Sequence, residues 1–389
     1  MAHTAYDVVV IGAGAAGLFC AAMAVKRGKR VVVLDHAPNP GAKILISGGG
    51  RCNFTNLKVK AENFISANPH FSKSALAGFT PQDFIRLVEQ AGIAYHEKTL
   101  GQLFCDDSAK QILDMLLRLC AGAELRLGAA VRDISYTDRF TVRTAQGSVE
   151  APALVLATGG LSIPKLGATN FSYEAAKTFG LRVVPPRAGL VPLTFSGEDL
   201  AWMQELAGVS LPAAVSAGKR VFRENVLFTH RGLSGPAVLQ ISSYLTAGER
   251  LAVDMLPGQK AEEALLAAKT RRPKAVLKTI LAEFLPARLA AHLASEDTRN
   301  MADLPDKFLK VLAARINRLE LLPTGNEGFA KAEVTVGGVD TDDLVSKTCG
   351  ARTVPGLFVI GEAVDVTGWL GGYNFQWAWS SAFAAAQAV

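Results

Sequence analysis

The sequence predicts an α/β fold: a parallel sheet wound with helices, carrying an inserted β-rich body and a small all-helical one. Three observations predict it. Residues 6–35 read as strand, glycine turn, helix and strand; between Gly189 and about Leu256 the texture turns to short β-type runs divided by Gly and Pro; and a closing strand, Gly356–Gly361, resembles the first. At 389 residues the chain exceeds one ordinary core, so two or three domains are expected.

The elements follow in order. Asp7-Val-Val-Val-Ile11 and Arg30-Val-Val-Val-Leu34 are nearly unbroken apolar runs, as strands buried on both faces require. The Ala-rich stretch ending at Lys26 joins them as a helix, which makes one βαβ unit. Helices are expected over Pro81–Ala91 and Ala109–Cys120, and strands over Phe140–Arg143 and Leu154–Ala157. In the insertion, β-type runs cover Leu190–Phe195, Gly208–Ala214, Arg220–Thr229 and Arg250–Met255. Residues 261–319 show apolar spacing of three and four broken at Pro273, Pro286 and Pro305, which reads as three or four helices. An Ala-rich helix from about Phe375 closes the chain. The expected division is 1–188 and 336–389 for the parallel-sheet domain, 189–260 with about 320–335 for the β-rich body, and 261–319 for the helical one.

Apolar residues make up 49% and charged residues 20%, a composition that buries a core and excludes a disordered or fibrous chain. The net charge of +6 suits an anionic ligand without specifying it. Five cysteines stand at 20, 52, 105, 120 and 349, an odd total with no CxxC or CxxxxC pair, so neither a disulfide framework nor a dithiol couple is expected and a reducing cytoplasm fits. No run reaches ~18 uninterrupted apolar residues, so no membrane span is expected, and no metal site either.

Gly12-Ala-Gly14-Ala15-Ala16-Gly17 follows a strand and opens a helix, the context in which this spacing gains meaning. Gly12 permits the tight turn, Gly14 admits a pyrophosphate, and Gly17 lets helix and strand pack closely, while the first-turn amides supply partial positive charge. Asp35 ends the second strand 18 residues after Gly17, placed to accept from a ribose. Lys43, then Gly50-Arg51-Cys52-Asn53 within a triple-glycine loop, adds amides and positive charge for a diphosphate and ribityl chain. Gly361-Glu362 ends the closing strand, and Gly372-Tyr373-Asn374-Phe375 opens the last helix, whose N-terminus suits the pyrimidine edge of a flavin. A nicotinamide-only enzyme has no use for this distant second half-site, so the expected cofactor is FAD. Val131, Thr158 and Gly159 complete the expected cofactor shell.

These clusters, with Leu190-Val-Pro-Leu193, Phe228–Pro236 and Glu333–Gly338, resemble the BaiN/YhiN family of bacterial FAD-dependent oxidoreductases, a branch of the glutathione-reductase-like flavoproteins, over nearly the whole chain. The resemblance implies FAD across the Rossmann-type domain, with a sheet domain and a helical domain inserted into it. Two positions depart from the family pattern: Asp35 stands where Glu is usual, and Gly167–Tyr173 replaces a Gly-Asp-Gly-Tyr motif.

No second GxGxxG follows, so a separate nicotinamide domain is not expected. The resemblance implies NAD(P)H-linked reduction of a conjugated ketone in a small or ring-containing organic substrate, with NADH or NADPH as transient donor and an oxygen-dependent amine oxidase as the alternative. His230 is the expected acid–base group, because an imidazole titrates near neutrality, with Tyr373 as second candidate. A flavoprotein acting on RNA is a lower-ranked alternative. Lys269, Arg271, Arg272, Lys274 and Lys278 form a basic run around a helix break, but such runs are usually solvated faces and no aromatic residues interleave it, so no nucleic-acid partner is expected.

Overall fold

A computed structural model describes residues 6–295 and 297–389. Strand β1 (Val8–Ile11), helix α1 (Ala15–Lys26) and strand β2 (Val31–Leu34) form the first βαβ unit, both strands fully buried. β1 pairs in parallel with β2 on one side and with Ala153–Leu156 on the other. The sheet extends beyond β2 to Glu124–Arg126 and beyond Ala153–Leu156 to Leu357–Val359, again in parallel, with two short antiparallel strands at the far edge. The chain thus leaves β1 in one direction and returns on its other side, so a topological switch lies at the carboxyl end of β1, where open α/β sheets bind ligands.

Small residues let α1 lie against the C-terminal helix Tyr373–Ala386. Their contact is filled by aromatic rings: Phe19 meets Trp379 edge-on at 5.7 Å, and Trp379 stacks on Phe84 at 4.3 Å. This packing makes the last helix part of the first domain's core. That helix begins at Tyr373, not Phe375, because Gly372 adopts φ +92° and its added Cβ would strike the Thr55 carbonyl oxygen.

The chain divides into two compact units, one of residues 6–187 with Val334–Val389, the other Ala188–Glu333. Strands Val183–Gly189 and Val334–Val339 pair as a two-stranded sheet where the chain leaves and re-enters the first unit. In the second unit the sheet runs Leu319–Leu321, Leu251–Asp254, Ser210–Ala217, Arg220–Thr229, Gly232–Ser234, Leu193–Thr194 and Gly325–Asn326, antiparallel at every pair. Helices Ala261–Arg271, Leu277–Leu281, Ala287–Ala294 and Asp306–Asn317 belong to the same compact unit as that sheet. The strand expected over Leu190–Phe195 contracts to Leu193–Thr194. Leu190 has φ +47°, and the amides of Leu190 and Val191 donate to the hydroxyls of Ser243 and Ser242 (2.9 and 3.0 Å) instead of to a neighbouring strand. Among the described residues, no helix is long and apolar enough to cross a membrane.

Candidate active site

At the switch point the three fingerprint glycines differ. A Cβ on Gly12 (φ +113°) would be driven into the Ala157 carbonyl oxygen, and one on Gly17 into that of Gly12. One on Gly14 would meet nothing within 4 Å. Protein packing therefore dictates Gly12 and Gly17, while Gly14 faces open space at the mouth of α1, whose amides no side chain caps among the described residues. The alanines Ala15 and Ala16 form the first turn, and Gly361 reaches the same point, since its Cβ would lie 2.9 Å from that of Ala16.

Asp35 stands at the end of β2 with one oxygen accepting from the Ala13 amide (2.6 Å) and the other from the Ala37 amide (2.8 Å). Its own backbone holds Ala129, whose amide donates to the Asp35 carbonyl (2.8 Å), and so brings the strand starting at Val131 beside it. A pyrophosphate-sized opening flanked by a fixed carboxylate is what a dinucleotide needs, and these residues fit FAD.

Lys43 extends from α2 (Ala42–Ile46) to a polar cluster drawn from distant segments. Its ammonium donates to the Ser162 hydroxyl (2.6 Å) and to Glu362 Oε2 (2.8 Å). Glu362 Oε1 accepts from Ser162 (3.0 Å) and from the Thr335 amide (2.8 Å), and the Thr335 hydroxyl accepts from the amide of Leu161 (2.8 Å). Burial pushes the Glu362 carboxyl up, but the charge and hydrogen bond of Lys43, with the bonds from Thr335 and Ser162, outweigh it and hold the group below its ordinary range. Gly159 borders this cluster, 3.7 Å from Glu362 by its added Cβ, and Thr158 bonds Ser172 (2.7 Å). Nearby Tyr173 is buried, and among the described residues its hydroxyl has no hydrogen-bond partner. Burial, then the negative charges of Glu362 and Asp365, push its pKa upward. An orphaned hydroxyl at this place fits a group that carries acceptors, as an isoalloxazine does.

The triple-glycine loop forms a tight turn, Ser47–Gly50, tied down by the Ala109 amide on the Gly50 carbonyl (2.7 Å) and the Cys105 amide on that of Arg51 (3.0 Å). Arg51 is exposed. Cys52 is buried, and burial pushes its thiol up to about 12; all five cysteines are buried and free. With its amide oriented to satisfy both ends, Asn53 donates to the carbonyls of Thr55 and Leu103 and accepts from the Gly372 amide (3.2 Å). Asn374 bonds the backbone of Gly368 and Trp369. The last helix is therefore docked by these two side chains, and the backbone amides beyond Gly372 are the groups its N-terminus offers. Phe375 stacks on Trp379 (5.6 Å), and Tyr373 packs edge-on against Phe64 and Trp369.

Every sequence-predicted site residue so far lies in the first unit; His230 lies in the second, exposed at the turn after Arg220–Thr229, its carbonyl accepting from Gln204 (3.0 Å). Sequence reasoning assigned no role to Ser162, Thr335 or Tyr173. Thr335 sits inside the Glu333–Gly338 motif and Ser162 two residues beyond Gly159-Gly160, so their neighbourhoods were marked but their partners were not.

A family model described as the HI0933-like protein Rossmann domain matches residues 6–388. The chain belongs to this family. It is an enzyme, a flavin-dependent oxidoreductase of Rossmann-type α/β fold. Within curated relatives, a protein of Escherichia coli (strain K12) named ribosomal RNA dihydrouridine synthase is 52% identical over 394 residues, covering 98% of this chain and 97% of its own length. A 3-dehydro-bile acid Δ(4,6)-reductase of Clostridium scindens is 29% identical over 407 residues, covering 98% of each. Among solved structures, the 3-ketosteroid-Δ4-(5α)-dehydrogenase of Rhodococcus jostii RHA1 shares the fold at 14% identity and a TM-score of 0.50, covering 99% of this chain and 98% of that one.

These findings correct two expectations. The small or ring-containing ketone substrate, and with it the amine-oxidase alternative, gives way because the relative of much higher identity is named for ribosomal RNA. The expected lack of a nucleic-acid partner falls for the same reason. The motifs that carried the resemblance are cofactor motifs, and a shared cofactor site leaves the substrate open. In the basic run, three of the five cations already meet acids: Lys269 pairs with Asp306 (2.7 Å), and both Arg271 and Arg272 with Glu283.

Proposed function

We propose that this protein reduces uridine to dihydrouridine in ribosomal RNA. The observation that carries the reading is 52% identity, over 98% of the chain, to a relative named for that activity. The uracil C5–C6 double bond takes up one hydride and one proton; bound FAD in its reduced form supplies the hydride, and NADH or NADPH restores it.

The chain's own residues bind, orient and move the proton. Gly14 and the α1 amides take the pyrophosphate, Asp35 the adenosine ribose, with Val131 alongside. Lys43, held by Glu362 and Ser162, places a fixed positive charge by the strand-end turn at Thr158–Gly159. Tyr173 directs its unpartnered hydroxyl into the same region. Gly50, Cys52 and Asn53 contribute the loop on the flavin side, and Gly361, Gly372, Asn374 and Phe375 the far side. The proton for the uracil carbon is assigned to His230, with Tyr373 in reserve. The cysteines are set aside, since buried thiols held near 12 are poor proton donors at neutral pH. A ribosomal RNA substrate fits a cytoplasmic enzyme.

The test incubates the flavin-loaded protein and NADH or NADPH with unmodified ribosomal RNA transcripts, followed by nucleoside mass spectrometry. The expected result is a uridine heavier by two hydrogens. Transcripts left unchanged with either donor, by protein whose flavin those donors do reduce, overturn the reading.

A further inference from the structure

An RNA-acting enzyme needs positive charge that its own acids have not already matched, and the first unit holds such a place. A cleft of about 390 Å³ is lined by Gly48, Gly49, Arg51, His96, Lys98 and Phe104. That is within the ~300–1,000 Å³ of ligand pockets and suits one nucleotide, not a duplex. Its wall is a hairpin of Tyr95–Glu97 and Gln102–Cys105, in which His96 stands directly opposite Phe104. Strand alternation puts Lys98 on the face of His96 and turns Glu97 to the other. The imidazole of His96 stacks on the Phe104 ring at 6.1 Å and 17°, and the Lys98 ammonium lies 5.4 Å from the same ring.

The charges in this cleft are unequal. His96 is held by Asp106 through Nδ1 at 2.7 Å, which fixes its ring. Arg51 and Lys98 are exposed and pair with no acidic side chain among the described residues. The floor is glycine for a reason: a Cβ on Gly48 (φ +57°) would lie 2.8 Å from the Phe104 ring, whereas Gly49 (φ +68°) faces nothing within 4 Å. Two unmatched cations, an aromatic platform with one half-exposed ring and open glycine backbone are the components of single-stranded RNA recognition: cations take phosphates, and the exposed ring takes a base face.

We propose that this cleft binds one nucleotide of the substrate RNA strand, with Arg51 and Lys98 on its phosphates and His96 against its base. This rests on the reading of the enzyme as acting on ribosomal RNA. Arg51 then serves the substrate and not the flavin diphosphate.

The experiment measures binding of unmodified ribosomal RNA transcripts to the flavin-loaded protein across ~50–300 mM salt, for wild type, Lys98→Glu and His96→Gln, with flavin content recorded for each. The glutamine keeps a hydrogen bond to Asp106 while removing the ring. Lys98→Glu is expected to weaken binding about fivefold or more near 0.1 M salt and to flatten the slope of log K against log salt by about 1. His96→Gln is expected to weaken it about fivefold with the slope retained. Both variants are expected to keep their flavin and its reduction by NADH or NADPH. If wild type binds and reduces the RNA while both variants bind within twofold of it, the cleft proposal is overturned and the enzyme reading stands. Loss of flavin from Lys98→Glu overturns it too, by assigning the cleft to the cofactor. If wild type neither binds nor reduces the RNA, the enzyme reading itself has failed.

Discussion

At the start of α1, backbone amides face no side-chain cap; at the helix break of residues 269–278, by contrast, Lys269, Arg271 and Arg272 each already touch a carboxylate. Both regions suit a phosphate by residue type. They differ in what their neighbours leave uncommitted. A donor without an internal partner gains a full interaction when an anion arrives, whereas a cation already paired must first give one up, so its net gain is small.

The largest expected effect tests the first region from inside. Gly17→Ala drives a methyl into the Gly12 carbonyl, a backbone clash that the βαβ unit cannot relax, and should cost at least about 3 kcal/mol or abolish soluble protein. Gly14→Val should do the reverse: fold with the thermal midpoint of flavin-stripped wild type, yet purify colourless. A yellow Gly14→Val protein would break the comparison at its root, because that glycine would then not face the cofactor.

Next in size, His230→Ala should retain flavin and its reduction by NAD(P)H but slow uridine reduction by ~10²-fold or more, measured in single turnover with ribosomal RNA. Normal turnover across pH 6–9 moves the proton to Tyr373 or to water.

A smaller effect probes the cluster where both members are committed. Glu362 is held below its ordinary range, so it adds stability above that range and this is lost as pH falls through its folded pKa. Lys43→Met removes the main cause of the depression and leaves a largely buried carboxylate without a countercharge, held by Ser162 and the Thr335 amide. Urea unfolding should show a loss of about 1–3 kcal/mol at pH 7, below the ~3–5 of a fully buried pair because the Lys43 side chain is 34% exposed. It should also show a shallower decline from about pH 5 to 3. Acid limbs that run parallel would show that Lys43 does not set the carboxyl. Smallest of all, Arg272→Ala removes an exposed pair and should change stability by under about 1 kcal/mol and ribosomal RNA affinity by under twofold. A large loss of RNA affinity would return that region to contention.

The βαβ unit was legible because its signals are local: a strand, three glycines and an acid within 30 residues, each demanded by short-range geometry. The Lys43, Ser162, Thr335 and Glu362 cluster was only half legible. Its members are separated by up to 319 residues, and nothing in one segment reveals which partner another will supply. Asn374 shows the opposite difficulty, a polar residue in a cofactor motif whose side chain the fold uses on Gly368 and Trp369. In the basic run at 269–278 the charge was legible, while its partners Asp306 and Glu283 were not. Substrate class lay beyond reach because the recognisable motifs answer to the flavin, whose chemistry many substrates share.

The strands Val183–Gly189 and Val334–Val339 lie side by side where the chain departs from and returns to the unit that carries the Gly12–Gly17 turn. Everything between them is thus a cassette with adjacent ends, open to exchange without rethreading the sheet, as inserted domains with neighbouring termini generally are.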